Sequence, residues 1–351
     1  MNRFTAVFAT ATLASAALLS QHAIAQDGPY KILSTTKVGG AGGFDYVTAD
    51  PAGRRLYVAR SGPGGHVAVY NLDTLAPAGD IPNVSAHGAT VDVKYGHGIA
   101  SSKPVAFFDS KTLAVIKTID VQGNPDGYLA DQSTDRLYIL SHAVPNVSVI
   151  DAKDGAILGT IDLGGAPEQA VLDGKGHMFI DLEDKDSIAV VDLATMKKTG
   201  EYDIKSKGGG CAGLAIDLKS SVLFATCRDK SNMIIVSAKD GKILEALPTG
   251  KGSDGAAFNP ATMEAFSSNG DGTLTVVKEN SPTSFVVEQT VKTPARAKTL
   301  TLDPKTGKIF LISAEFGAPP APAALAADGT PARPARAPMV PDSFIIITVG
   351  K

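Results

Sequence analysis

The sequence has no tryptophan and only two cysteines, and after residue 25 it has no apolar run long enough to cross a bilayer. Without tryptophan, the chain has no indole ring on which a sugar or quinone could stack. It also lacks the nucleophile elbow GxSxG, the zinc motif HExxH, a P-loop and the haem-attachment motif CxxCH. No segment shows a long apolar pattern with a period of 3.6 residues, which excludes helical solenoids.

What the chain does contain is a repeat. A residue with a short acidic or amide side chain recurs every 39 to 44 residues, at Asp50, Asp92, Asp131, Asp173, Asp217, Asn259 and Asp303. After each comes a short alternating apolar run, such as RLYIL at 136–140, and then a second run that usually ends in an acidic residue, such as VSVID at 147–151. Three or four short strands per ~40–45 residues are typical of propeller blades. Seven repeats therefore predict an all-β, seven-bladed β-propeller.

The two ends of the chain predict how the propeller closes. Segment 30–40, YKILSTTKVGG, is similar to the fourth-strand segments ILGTIDLGG at 157–165 and ILEALPTG at 243–250. The chain ends with an isolated third strand at 344–349. We therefore expect the N-terminal strand to pair with the C-terminal blade, which leaves no open sheet edge at the seam.

The repeats resemble those of the YVTN/YncE-like bacterial seven-bladed β-propeller family. The resemblance rests on RRLYVARS at 54–61, DRLYILSH at 135–142 and FNPATMEAFSSNGDGTLTVV at 258–277, and it covers residues 30–351. The second repeat, VDVKYGHGIASSK at 91–103, departs most from the pattern. The resemblance implies the fold but no single activity, because propellers of this kind include binding proteins, electron-transfer partners and a few enzymes.

The N-terminus reads as an export signal. Arg3 precedes an apolar run at 4–19 and the small residues Ala23 and Ala25, which predicts a signal peptide at 1–25 and a single propeller domain at 26–351. An uncleaved anchor is the alternative, although the run is short for a membrane span. Loss of Arg3 leaves 32 basic against 36 acidic residues, a net charge of −4, which argues against binding nucleic acid through its phosphates. We expect a periplasmic or secreted monomer whose partner is a small polar molecule or a periplasmic protein.

One face of a propeller carries the loops before the inner strands together with the loops between second and third strands. The polar residues that we expect to bind a ligand on this face are Asp45, His87, Asp126, Glu168, Arg228, Asp254 and Arg296. Carboxylates with a few cations suit a polar small molecule, a metal ion or a basic peptide. The alternative is that these residues are polar only because propeller channels are wet.

Three histidines fall on the same face in consecutive repeats. The candidates for holding a divalent metal ion are His66, His87, His142, Asp126 and Glu168. No close ligand pair such as HxxxH occurs, so the fold alone would have to bring them together, and solvated histidines are the alternative. Propellers of similar shape hydrolyse lactones with a metal ion bound in the channel, so a metal-dependent lactonase is the alternative function. In that enzyme His87 and Arg296 would polarise the substrate, and the metal ligands or the general base would come from Asp45, Asp126, Glu168 and Asp254.

The two cysteines lie symmetrically about a predicted turn. Cys211 and Cys227 are equally distant from residue 219, so they should face each other on antiparallel strands. In an oxidising compartment this arrangement predicts a disulfide. A thiol pair for metal or redox chemistry is the alternative.

The seventh repeat contains an insertion at 317–341, GAPPAPAALAADGTPARPARAPMVP. Seven of its 25 residues are proline, which favours extended conformations and predicts no folded subdomain. It is either a disordered loop or a functional element. As a functional element it would be a flap over the mouth of the central channel or an arm that docks a partner protein.

Overall fold

The structure is a computed structural model that describes residues 28–62, 64–144, 146–318 and 337–351. The predicted signal peptide at 1–25 and residues 319–336 of the insertion lie outside the described residues. The described ranges hold 28 strands and no helix. Accordingly, they contain no helix of the length and hydropathy needed to cross a membrane.

The strands form seven antiparallel sheets of four strands each, which are the blades. Blade 1 contains β2 (Gly43–Asp50), β3 (Arg55–Ser61), β4 (His66–Asn71) and β5 (Pro77–Ile81). Blade 2 contains β6 (Ala89–Asp92), β7 (His97–Ala100), β8 (Val105–Asp109) and β9 (Val115–Ile119). Blade 3 contains β10 (Pro125–Asp131), β11 (Arg136–Ser141), β12 (Val147–Asp151) and β13 (Ile157–Ile161). Blades 4 and 5 contain β14 (Pro167–Leu172), β15 (His177–Leu182), β16 (Ser187–Asp192) and β17 (Lys197–Asp203); and β18 (Cys211–Asp217), β19 (Val222–Cys227), β20 (Asn232–Ser237) and β21 (Ile243–Pro248). Blade 6 contains β22 (Ser253–Asn259), β23 (Glu264–Asn269), β24 (Thr273–Ser281) and β25 (Ser284–Lys292).

The last blade is built from both ends of the chain. Its strand order is β1 (Lys31–Lys37), β28 (Ile345–Gly350), β27 (Lys308–Ser313) and β26 (Leu300–Asp303). β1 pairs antiparallel with β28, for example Ile32 opposite Val349. This arrangement confirms the predicted all-β, seven-bladed propeller, and the closure agrees with the prediction from the two ends of the chain.

The residue that sets the repeat period is a turn residue. The side chain of Asp50 accepts hydrogen bonds from the backbone N–H groups of Ala52 and Gly53 (3.1 and 2.9 Å), and Asp131 accepts one from Ser133 (2.9 Å). The equivalent bond recurs in the other five blades. Such Asx turns reverse the chain between the first and second strands, which explains why Asp or Asn returns at this position.

A buried ion pair joins blades 1 and 7 beside the seam. Arg54 donates to both carboxylate oxygens of Asp303 (3.0 and 2.8 Å). Burial raises the pKa of Asp303, but hydrogen bonds from Arg54 and Thr306 outweigh this effect, so its pKa lies below the usual value. The carboxylate is therefore charged at neutral pH and stabilises the contact between the first and last blades.

The core lies between adjacent blades. All six residues of β19 are buried, whereas four of the five residues of the outer strand β9 are exposed. Between blades 3 and 4, for example, Leu140 and Val149 pack against Met178 and Ile180. Burying the two middle strands of each blade accounts for their near-continuous apolar runs. The inner strands face the central channel.

Candidate functional site

The inner strands of five blades carry a β-bulge near their first residues. The pairing register shifts between Phe44 and Val47, between Pro125 and Tyr128, between Pro167 and Ala170, between Cys211 and Gly213, and between Ser253 and Gly255. A bulge redirects a side chain relative to a regular strand. The residues within these bulges include Asp45, Asp126, Glu168, Ala212 and Asp254. Four carboxylates are thereby directed to the same mouth of the channel, which we call the funnel mouth.

Glycines next to the bulges let the inner strands approach each other. A Cβ atom on Gly213 would lie 2.6 Å from the carbonyl carbon of Gly255 and 2.7 Å from the backbone nitrogen of Ala256. A Cβ on Gly127 would lie 3.0 Å from the carbonyl oxygen of Glu168. In blades 3, 5 and 6, glycine directly after the bulged residue therefore allows this close approach of neighbouring inner strands.

Two histidines and three carboxylates alternate along one half of the funnel mouth. Nδ1 of His87 lies 2.8 Å from Oδ2 of Asp45 and 3.1 Å from Oδ1 of Asp126. Nε2 of His142 lies 3.0 Å from Oδ2 of Asp126 and 3.6 Å from Oε1 of Glu168. Asp126 thus offers one oxygen to each histidine.

Two permanent cations complete the circle. Arg228 lies 3.6 Å from Glu168, contacts Asp254 and donates to Glu183 (2.8 Å). Lys298 contacts Asp254 and lies 3.7 Å from Asp45. The result is a closed circuit to which every blade contributes, the rim ring of Asp45, His87, Asp126, His142, Glu168, Arg228, Asp254 and Lys298.

The rim ring has more carboxyl groups than permanent cations. Its four carboxylates and two permanent cations would leave a net charge of −2 if all four carboxylates were ionised and both histidines were neutral. The hydrogen bond to Asp45 raises the pKa of His87, and the hydrogen bond to Asp126 raises the pKa of His142. Burial, together with neighbouring carboxylates and against the pull of Arg228, raises the pKa of Glu168. The site therefore favours added positive charge, as protons on its histidines or as a bound cation.

Below the rim ring the channel opens into a cavity of about 510 Å³ between the inner strands. The hydroxyl of Tyr46 donates to Glu168 at 3.3 Å, and its ring packs edge-on against Tyr128, with centroids 5.7 Å apart. Asp181 is fully buried in the next strand of blade 4, and neither of its oxygens has a partner among the described residues. Burial raises the pKa of this carboxyl well above its usual value, and the nearby Glu168 adds to the effect.

Two groups in the rim ring have ligand atoms close enough for a metal ion. Asp45, His87 and Asp126 form one triad, and Asp126, His142 and Glu168 form the other, with the ligand atoms of each triad within 4.8 Å of one another. Imidazole nitrogen with carboxylate oxygen is the ligand set of zinc and related divalent ions. The two triads share Asp126, which could ligate one ion or bridge two.

Six of the seven residues predicted to bind a ligand lie in the rim ring, and Arg296 does not. Its side chain instead stacks on Phe316, with the guanidinium carbon 3.8 Å from the ring centroid. Lys298, which the sequence prediction omitted, takes the position in blade 7. His66 also lies apart from the rim ring: it is 3.7 Å from Asp80 of the neighbouring strand.

A signal for the correct positions was present in the sequence. Each rim residue on an inner strand lies five positions before the turn residue of its repeat, as Asp45 lies before Asp50 and Asp126 before Asp131. Counting back five from Asp303 gives Lys298 instead of Arg296. Counting from a predicted strand start fails in blade 7, because its inner strand begins only at Leu300.

The cysteines lie beside the rim ring in blade 5. Cys211 and Cys227 lie opposite each other on β18 and β19, both are buried, and a disulfide joins them in the structure. Their redox state in the cell stays a prediction.

Comparison with known proteins supports the fold alone. No family model and no curated protein matches the sequence. Among solved structures, a chain of the "Crystal Structure of Mitotic Checkpoint Complex" is similar with a TM-score of 0.68 and 12% identity, over 88% of this chain and 95% of that chain. At this identity the similarity establishes a shared propeller architecture, a fold that serves ligand or partner binding in general.

Proposed function

We propose that the protein binds a divalent metal ion of the zinc class at the funnel mouth, with Asp126 as the shared ligand of two histidine–carboxylate triads. The observation that carries the proposal is the placement of His87 and His142 on opposite oxygens of one carboxylate, at 3.1 and 3.0 Å. A metal ion in either triad would replace the proton that now joins imidazole and carboxylate.

The electrostatics of the rim ring support the same proposal. The side chains of Asp126 and Glu168 are only 12% and 8% exposed, so water solvates their charges poorly. Arg228 and Lys298 both contact Asp254 on the far side of the ring, whereas neither triad contains a permanent cation of its own. A divalent cation would compensate the ionised carboxylates of a triad without requiring either histidine to be protonated.

The test is a zinc titration by calorimetry of protein purified without chelator or affinity histidines. We expect at least one zinc ion per chain, and a loss of binding in His87→Ala together with His142→Ala. His177→Ala is the matched control, because His177 forms an equivalent pair with Asp173 at 2.9 Å, away from the funnel mouth. Equal zinc binding by the wild type and the double variant would contradict the proposal.

Hydrolysis of a lactone or ester at the same site is a second candidate function. It is favoured by the Tyr46 hydroxyl and the buried carboxyl of Glu168, a member of the second triad, which are hydrogen-bonded at 3.3 Å and both line the cavity. These two groups would orient a substrate carbonyl and transfer a proton, respectively. A turnover screen comparing wild type with Glu168→Gln tests this candidate: an enzyme loses turnover in the variant and keeps its fold.

The cellular setting belongs to the proposal as well. We infer a YVTN/YncE-like propeller that is exported through the signal at 1–25 and acts in the periplasm or outside the cell as a monomer. The repeat segments and the N-terminal sequence support this inference. Mass spectrometry of the exported protein tests it, with a mature N-terminus at Gln26 as the expected result.

A further inference from the structure

A second cavity, of about 570 Å³, lies beside the rim ring between blades 1, 6 and 7. We call it the rim pocket, and its side-chain lining is Phe44, Arg296, Lys298, Phe316, Ala337 and Met339. Its volume is in the range of pockets that hold small organic molecules. None of these residues belongs to the metal triads or lines the cavity below them. Lys298 is the one that also belongs to the rim ring.

The apolar wall of the rim pocket is held in place by backbone pairing. Phe316 and Met339 form an antiparallel bridge at the base of the insertion. The flanking N–H groups of Gly317 and Val340 donate to Pro338 and Glu315 at 2.9 and 2.8 Å. The ring of Phe44 packs against Phe316, with centroids 6.2 Å apart. The wall is therefore a short β-bridge that carries Phe316, with Phe44 of β2 packed against it.

Arg296 is an unusual cation in this protein. Five other arginines in the described ranges donate to a carboxylate or a carbonyl: Arg54, Arg55, Arg60, Arg136 and Arg228. Arg296 is exposed, and within the described ranges no carboxylate pairs with it. Its guanidinium is instead held flat against Phe316, 3.8 Å from the ring centroid. Within the described ranges none of the five guanidinium donors has a hydrogen-bond partner, so the group can offer them to a ligand.

The backbone of Arg296 is fixed in an uncommon conformation. Its φ is +65°, in the left-handed region that a bulky residue rarely adopts. The N–H of Arg296 donates to the carbonyl of Gly270 at 2.8 Å, which holds the loop against blade 6. The stacked guanidinium is thus oriented before any ligand arrives, which lowers the entropic cost of binding.

We propose that the rim pocket binds an aromatic carboxylate, with its carboxylate on Arg296 and its ring against Phe316 and Met339. A planar fork of guanidinium donors matches a carboxylate in a bidentate manner, and the apolar wall matches a flat hydrocarbon body. Lys298 lies at the boundary with the rim ring, where Asp45 and Asp254 already neutralise it, so Arg296 supplies the uncompensated positive charge. This proposal is independent of the metal proposal, because the two sites use different ligating residues.

The experiment measures binding of 2-naphthoate and of its neutral analogue 2-naphthamide by calorimetry in metal-depleted buffer. We expect 2-naphthoate to bind the wild type and to lose roughly tenfold or more in affinity in Arg296→Gln, as expected for a charged hydrogen bond. 2-Naphthamide should bind more weakly than 2-naphthoate and lose little in the same variant. Phe316→Ala should weaken both ligands, because it removes the apolar wall.

Lys175→Gln is the control variant, because it removes the same unit of charge from an exposed turn between first and second strands. It should leave 2-naphthoate binding unchanged. Absence of binding to the wild type at millimolar concentration, or equal affinity in wild type and Arg296→Gln, would overturn the proposal. The two proposals fail separately: Arg296→Gln should still bind zinc, and the His87→Ala, His142→Ala variant should still bind 2-naphthoate.

Discussion

Arg228 is the residue on which the far side of the rim ring depends. Its guanidinium contacts Asp254, donates to Glu183 at 2.8 Å and lies 3.6 Å from Glu168. Replacing it by glutamine leaves three carboxylates facing one another, and the side chains of two of them, Glu168 and Asp254, are only 8% exposed. Loss of one partner from a buried ion pair costs about 3–5 kcal/mol.

The expected destabilisation is smaller than that range for two reasons. The side chain of Arg228 is 35% exposed, so solvent screens part of the interaction, and Lys298 still compensates Asp254 in the variant. We therefore expect Arg228→Gln to lower the free energy of unfolding by about 2–3 kcal/mol. The measurement is urea unfolding at pH 7 followed by circular dichroism.

Two further variants distinguish charge repulsion from loss of packing. Arg228→Gln combined with Glu183→Gln should recover part of this loss, because the second change removes one of the carboxylates that Arg228 compensated. Arg136→Gln is the matched control: Arg136 donates a single 2.8 Å bond to the carbonyl of Leu193, so it should cost less than about 1.5 kcal/mol. The reasoning is refuted if Arg228→Gln costs no more than Arg136→Gln, or if the double variant recovers nothing.

Three other predictions concern the scaffold. Intact-mass analysis of unreduced protein should show no free thiol at Cys211 or Cys227, and detection of two thiols would favour the redox alternative. Replacing both cysteines by serine should lower the free energy of unfolding by about 3 kcal/mol. Gly213→Ala should lower the free energy of unfolding in urea by more than about 2 kcal/mol, because its Cβ would lie 2.6 Å from a backbone atom. Gly200→Ala is the control and should be tolerated, because its Cβ would have its nearest contact at 3.6 Å. Equal effects of the two changes would contradict this reasoning. Because the pKa of Asp303 is lowered in the folded state, its charge stabilises the fold above its unfolded pKa, and this contribution disappears as pH falls below about 4. Asp303→Asn should therefore be less stable than wild type at pH 7 and lose less stability on acidification, and parallel pH profiles would count against the ion pair.

The fold could be predicted from the sequence because its determinants are local and repeated. The Asx turn after each inner strand uses one side chain and two neighbouring N–H groups, so it leaves an Asp or Asn at a fixed period. The closure of the ring could also be predicted, because β1 resembles the fourth strands of other blades and takes that position in the last blade.

The candidate site was only partly predictable, because its geometry depends on the bulges and on the channel width. Placing the rim at the start of each inner strand selected Arg296 in blade 7, whereas the position five residues before the turn residue is Lys298. His142 reaches Asp126 from a loop, and no spacing in the sequence encodes their 3.0 Å separation. The Phe316–Met339 bridge that forms the rim pocket joins the two ends of a proline-rich insertion, a contact that composition does not reveal.

The most direct test of a metal site at the funnel mouth is an anomalous difference map at the zinc edge, from crystals soaked in zinc. We predict a peak with ligand distances of about 2.0–2.2 Å to Asp126 and to His87 or His142. The peak should vanish in Asp126→Asn crystals and persist in Asp173→Asn crystals. A map with no peak in either triad, or with its only peak at His177 and Asp173, would contradict the assignment of the funnel mouth as a metal site.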